Sequence, residues 1–230
     1  MTEQDARLSR ILGELRQFYE PQPEPPHDGF GFYLWYVLGQ RSVPVRRDAA
    51  LAALRRIPAM TPDALWKAPR AKIHAAVAHV GPPEERLNAV VAGVEVFRRH
   101  RDLDHLIGGP ILQARRAIRP LAALGRVGAQ WMLLVAGGHP ILPRHPGVGR
   151  IAFRLGVVPE PSCPAALLQH RAARALAGLV PRDVTYLKNA VLYLAHHAAV
   201  TCTIAHPHCR VCPLAADCEA YKAAWARVQN

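Results

Sequence analysis

Four cysteines close to the C-terminus limit the folds open to this chain more than any other feature. They stand as Cys202-x6-Cys209-x2-Cys212-x5-Cys218, and only five cysteines are present in all, so composition does not produce the spacing. The opening residues, MTEQDARLSR, lack the basic-then-apolar order of a signal peptide, and a cytosolic protein is expected. Thiols stay reduced in that compartment, which leaves a metal site as the physical reading. Four thiolates hold either a zinc ion or a 4Fe–4S cluster. Zinc ribbons favour two C-x2-C pairs, whereas this segment has one. Cys163 stands apart beside Pro164 and reads as a spare thiol.

The remainder of the chain reads as helix. Leu8, Ile11, Leu12, Leu15 and Phe18 fall on one face of a helix over 5–19, and Pro21 to Pro26 stop it. A second apolar segment runs from Phe30 to Leu38. Further helices are expected at 45–56, 61–67, 69–79, 83–100, 110–118, 126–137, 147–155, 164–178 and 182–197. Alanine is abundant in them and β-branched alternation is rare, so the fold class is all-α. With 230 residues there is room for one or two domains. The proline cluster at 21–26 and the Gly137 to Pro146 stretch are the natural breaks. They suggest a middle domain over 28–140 and a second domain built from 1–27 and 141–230.

Charge points to a partner. Basic residues number 29 against 17 acidic, giving a formal net charge of +12 and a pI near 10.2, in the range that suggests a polyanion. Only Lys67, Lys72, Lys188 and Lys222 are lysines. Genomic base composition accounts for that ratio as well as function does, but not for the net excess. No apolar run reaches the 18 or so residues that span a bilayer, and no membrane partner is expected.

The cysteine spacing resembles the cluster motif of the endonuclease III family of helix-hairpin-helix DNA glycosylases. The resemblance implies two helical domains: a middle six-helix domain with a helix-hairpin-helix, and an iron–sulfur domain made from both termini. It also implies a 4Fe–4S cluster on Cys202, Cys209, Cys212 and Cys218, with structural zinc as the alternative. Within the x6 loop, His206 and His208 replace the basic side chains the family places there, and Arg210 retains part of that role. Leu121 to Ala129 resembles the family hairpin LPGVGRKTA, matching at Leu121, Gly125, Arg126 and Ala129, with Ala123 in place of the first glycine. Such a hairpin aims backbone N–H groups at a phosphate, which makes Gly125, Arg126 and Gly128 candidate DNA contacts. Pro146-Gly147-Val148-Gly149-Arg150 looks still more like the hairpin, but it follows a stretch too rich in glycine and proline to supply a first helix. Val148 to Ile151 and Arg154 to Gly156 are matched instead to the helix after the family's catalytic aspartate. Gln40 resembles the glutamine that fills the gap left by a flipped base; a plain helix-capping glutamine is the other reading. Trp35, Trp66 and Trp131 are expected in the core.

The resemblance also marks a loss. The family's Schiff-base lysine corresponds to Val127, and its aspartate, eighteen residues on, to His145. Shifting the register does not restore them: no lysine lies between Lys72 and Lys188, and Glu160 is the only carboxylate between Asp104 and Asp183. Three readings remain. The first is a monomeric binder of damaged or abasic double-stranded DNA without lysine-dependent abasic-site lyase chemistry, cytoplasmic and nucleoid-associated if bacterial. The second is an active monofunctional glycosylase using His145 or Glu160. The third is a redox or interaction module that retains the fold.

Overall fold

The computed structural model describes residues 3–57, 60–158 and 165–229. Among these there are thirteen α-helices and no strand. In chain order they are α1 (Glu3–Phe18), α2 (Gly29–Gly39), α3 (Pro44–Arg55), α4 (Pro62–Lys67), α5 (Arg70–Val77), α6 (Pro83–Arg99), α7 (Leu103–Gly108), α8 (Ile111–Ala117), α9 (Gly125–Val135), α10 (Pro146–Arg154), α11 (Ala165–Leu176), α12 (Val184–Val200) and α13 (Glu219–Gln229). None of the described helices is long and apolar enough to cross a membrane. The chain divides into two compact units, Pro25–His139 and Met1–Glu24 with Pro140–Asn230. Glu160 and Cys163 lie outside the described residues.

The middle unit is assembled around α2, whose sequence GFGFYLWYVLG carries no charge. Asp28 caps its start: the Gly31 N–H donates to Asp28 Oδ1 at 2.6 Å, satisfying a donor that the helix itself leaves open. The Gly29 N–H donates to Asp104 Oδ1 at 2.8 Å, which ties this end to α7. Phe32, Tyr33, Leu34, Val37 and Leu38 are all buried, as a helix apolar on every side must be. Glycines on two neighbours admit its aromatic rings. A Cβ at Gly93 of α6 would overlap the Tyr33 ring, and a Cβ at Gly128 of α9 would overlap Tyr36. The Tyr33 hydroxyl then donates to the Ala89 carbonyl at 2.7 Å, which keeps its polar end satisfied inside the core.

The tryptophan expectation holds in part. Trp131 is 7% exposed and stacks on half-buried Trp35 with ring centroids 5.6 Å apart. Trp66, at 44% exposed, is not a core residue. It sits on the six-residue α4, where Leu65 takes the inward position and the next side chain, about 100° on, turns outward. There the Arg98 guanidinium covers its ring at 4.3 Å, a cation–π contact.

In the other unit α1 buries Leu8, Ile11, Leu12 and Leu15, while Phe18 at its end is 49% exposed; α1 packs on α12, and α10 packs on α11, α12 and α13. Pro146 opens α10, so the second glycine-rich segment is the first turn of a helix rather than a hairpin. Helices α7 and α13 were not expected. The first is one and a half turns long, and the second carries only a short apolar stripe, Tyr221, Ala224, Trp225 and Val228, directly behind the last cysteine.

The glycine notches generate a stability prediction. Gly93→Ala should destabilise the protein by roughly 1–3 kcal/mol, the usual penalty for overpacking, measured as a lower urea midpoint with an unchanged slope. Adding Tyr33→Leu to Gly93→Ala should recover part of the loss, because the ring that clashes is gone.

Candidate nucleic-acid interface and metal centre

In the middle unit a seven-residue turn joins α8 to α9. Leu121 donates its N–H to the Ile118 carbonyl at 3.0 Å and Leu124 to Leu121 at 3.1 Å, and residues 122–124 form a single 3₁₀ turn. Ala123, in the first glycine's place, sits inside that turn, where negative φ suits any residue. The backbone demand falls on Gly125, with φ +57° and ψ −171°, a combination open essentially to glycine alone. Gly125 and Arg126 are exposed at the start of α9, Val127 is half-buried, and Gly128 is buried against Tyr36. The result is a helix N-terminus presented to solvent with a guanidinium beside it. The Gly125 N–H is taken by the Ala122 carbonyl, so what favours an anion there is the helix dipole together with the exposed guanidinium.

Gln40 lies beside this turn. Its backbone N–H donates to the Tyr36 carbonyl and closes α2. Its side-chain Nε2 donates to the Ala123 carbonyl at 2.8 Å. Arg41, next in sequence, has φ +55°. Arg86, 5% exposed, holds the segment from within: Nη1 donates to the Val37 carbonyl at 2.9 Å, Nε to Val80 at 3.0 Å, and Nη2 to Gln40. Arg86 was invisible in the sequence, because its three acceptors are main-chain carbonyls that only the fold assembles.

In the other unit the four cysteines come together. Cys202 follows α12, Cys209 opens a 3₁₀ turn over 209–211, and Cys218 directly precedes α13. The His208 N–H donates to the Thr201 carbonyl at 2.9 Å and closes the loop between the first two. All four are free thiols, half-buried, and they line one cavity of about 180 Å³ together with Arg154, His197 and Leu214. Burial pushes the Cys212 thiol up to about 11; the Leu214 N–H opposes the shift, and the charges of Cys202, Cys218 and Cys209 add to it. Among the described residues no three histidine, cysteine, aspartate or glutamate side chains converge closely enough to hold a single metal ion. Helix α10 braces the same loop. Arg150 Nε donates to the Cys202 carbonyl at 3.0 Å, and Arg154 Nη1 to Cys202 Sγ at 3.2 Å and to the Thr203 carbonyl at 2.8 Å. His206, His208 and Arg210 are exposed.

His145 occupies the cap position before α10 without a side-chain capping bond. Its Nδ1 is buried and has no hydrogen-bond partner. Burial, and then the charge of Arg150, lower its pKa to about 4, so the ring is neutral at physiological pH.

No family model matches the chain. It is 17% identical to endonuclease III in a non-covalent DNA complex, with a TM-score of 0.73 over 98% of this chain and 100% of the other. A thermostable thymine-DNA glycosylase gives a TM-score of 0.71 at 17% identity, covering 96% and 97%. The fold is that of endonuclease III. Two plant proteins of Arabidopsis thaliana match in sequence as well. DEMETER-like protein 3 is 28% identical over 134 residues, 54% of this chain and 13% of that protein. DNA glycosylase/AP lyase ROS1 is 29% identical over 136 residues, 54% of this chain and 10% of that protein. The endonuclease III-like chain thus spans about a tenth of the curated relatives it matches. Together these likenesses fit a member of the endonuclease III-like helix-hairpin-helix superfamily.

The state of His145 sets an acid response. Its folded pKa lies below its ordinary 6.5, so the unfolded chain binds the proton more readily and stability falls as pH drops from about 6.5 to about 4. His197 shifts the same way, to about 4. His145→Asn should therefore flatten, without abolishing, the fall in urea midpoint between pH 6.5 and 4.

Proposed function

We propose that this chain is a DNA-binding iron–sulfur protein of the endonuclease III-like superfamily that recognises damaged or abasic double-stranded DNA, as a monomer and without lysine-dependent lyase chemistry. The observation that carries the reading is the turn before α9. Gly125 adopts a conformation that leaves the helix start open, Arg126 is exposed beside it, and Gln40 is anchored on Ala123 next to both. Phosphate binding at such a helix start gives affinity that is independent of base sequence. A glutamine amide at its edge has the size and hydrogen-bonding groups to fill the gap left by a missing or flipped base. Arg210 offers a further phosphate contact on the iron–sulfur unit.

The cysteine site fits a 4Fe–4S cluster on chemical grounds. A zinc ion draws each sulfur to about 2.3 Å from one point, whereas these four thiols line a cavity of about 180 Å³, which suits a larger body held at its corners. Soft thiolates are the donors such clusters require. When bound, the cluster would supply a one-electron redox centre and would close the C-terminal segment through Cys202, Cys209, Cys212 and Cys218.

The side chains at hand support the absence of lyase chemistry. Schiff-base formation requires an amine near the sugar C1′, and the turn offers Val127 instead. A second reading, base release by this chain, has one observation in its favour: His145 keeps a neutral ring with an unpartnered Nδ1, a group that could orient a water molecule but is too weak a base to take its proton. Glu160, the other residue considered for that role, lies outside the described residues.

Duplexes with and without an abasic site test the proposal. Affinity should fall with salt at a log–log slope of about −0.9 per phosphate contacted. Arg126→Ala should reduce that slope by about one contact, and Gln40→Ala should weaken preference for the abasic duplex while leaving affinity for intact duplex nearly unchanged. Borohydride should trap no adduct with abasic DNA at the turn; an adduct mapped there overturns the proposed chemistry. Protein purified without oxygen should be yellow-brown with about four irons and four sulfides per chain, and stoichiometric zinc in their place overturns the cluster assignment.

A further inference from the structure

We propose that Tyr19 is a positioning residue for the iron–sulfur site, holding an imidazole N–H on the sulfur of Cys212 through the chain Thr201–Tyr19–His197. The inference rests on the cluster reading above. Tyr19 directly follows α1 and comes from the opposite end of the sequence to the cysteines. Its hydroxyl lies 2.6 Å from His197 Nδ1 and 2.6 Å from Thr201 Oγ1. Its ring meets those of His196 and His197 edge-on, with centroids 4.7 and 5.8 Å away. His197 is 1% exposed, and its Nε2 lies 3.6 Å from Cys212 Sγ.

Counting protons gives the chain a direction. A cysteine that ligates iron is a thiolate and has no proton to donate, so the hydrogen between Cys212 and His197 must reside on Nε2. In a neutral imidazole Nδ1 is then bare and accepts from the Tyr19 hydroxyl. The tyrosine oxygen in turn accepts from Thr201. If the ring carried a second proton, Nδ1 would donate to Tyr19 and Tyr19 to Thr201, but Nε2 would still donate to the sulfur. Every arrangement that keeps the hydrogen bond between His197 and a ligating Cys212 therefore presents the same N–H to it. Without the phenol, the buried Nδ1 would lose the partner that sets the ring's orientation.

An N–H···S bond draws negative charge from the sulfur and favours the more reduced state of a cluster. Hydrogen bonds of this kind are among the levers that set reduction potentials. Cys212 differs in this from Cys202, whose sulfur meets guanidinium donors of α10, Arg154 at 3.2 Å among them. Cys202 and Cys212 thus each receive a donor from a side chain outside the cysteine loop, the first from α10 and the second from α12, and Tyr19 governs the second.

The test uses the full chain purified without oxygen. Iron and sulfide are counted first; a wild-type chain without them overturns the cluster reading and the inference with it. In the loaded wild type, resonance Raman bands of the iron–cysteine bonds should shift on exchange into D2O, because an exchangeable N–H bonds the sulfur. Tyr19→Phe should keep the iron content and thermal midpoint, move the cluster's midpoint potential to a more negative value and diminish the deuterium shift. His197→Leu should move both readouts further in the same directions, and His197→Gln, which keeps an N–H donor, should recover part of the potential. A loaded wild type with no deuterium shift, or loaded variants at the wild-type potential, would overturn the role of Tyr19 while leaving the cluster in place.

Discussion

The close approach of α2 to its neighbours is the constraint on which the middle unit depends. A helix without a charged residue is buried over most of its surface, and bulky rings on it require notches in whatever packs against it. Gly93 and Gly128 provide them. Interiors are packed as densely as organic crystals, so these contacts fix the height of α6 and α9 along α2 to within a fraction of a residue. The candidate interface inherits that registration. Gln40 closes α2, the turn carrying Gly125 and Arg126 opens α9, and the Gln40–Ala123 bond spans two segments that the Tyr36–Gly128 contact has already aligned. Gly128 therefore has a packing duty in addition to any contact its backbone makes with a phosphate.

Arginine carries a comparable load in both units, for a reason rooted in its geometry. A guanidinium has five donors in a rigid plane and satisfies several carbonyls at once. Arg86 does so for Val37, Gln40 and Val80, and Arg150 and Arg154 do so for the loop around Cys202. A lysine at any of these positions would offer a point charge with no comparable fork. The arginine-to-lysine ratio was read as a matter of base composition or of a polyanion partner. These three side chains point inward instead, so part of the ratio serves the fold.

What the sequence made legible and what it hid follow a single physical distinction. Helices announced by an apolar stripe, such as α1 and α6, were readable because periodicity is local. The cysteine segment was readable for a similar reason, since 17 consecutive residues contain all four thiols. The groups around them were not. Tyr19 reaches His197 across 178 positions and Gln40 reaches Ala123 across 83, and nothing local marks either partner. Phe18 shows the converse error: periodicity placed it on the buried face, but at the last residue of α1 the surface it would have covered has ended. Trp66 failed likewise, because a helix of six residues has too few turns to define a face.

His145 is where local chemistry and inherited position disagree most. In the proposed alignment a carboxylate would stand at this point, and Arg150, whose charge already bears on His145, would hold such a group ionised. The imidazole experiences the same guanidinium with opposite consequence. Burial and the nearby positive charge both favour the neutral ring, so the site carries no anion to stabilise positive charge on a sugar. What remains is a neutral ring whose Nδ1 has no partner, a weak base with a pKa of about 4. Proton transfer to such a base is unfavourable at neutral pH, and the most it offers is to orient a water molecule by accepting a hydrogen bond. Position 145 therefore carries no charged group to drive a glycosidic bond apart, which accords with the proposed reading of binding without cleavage.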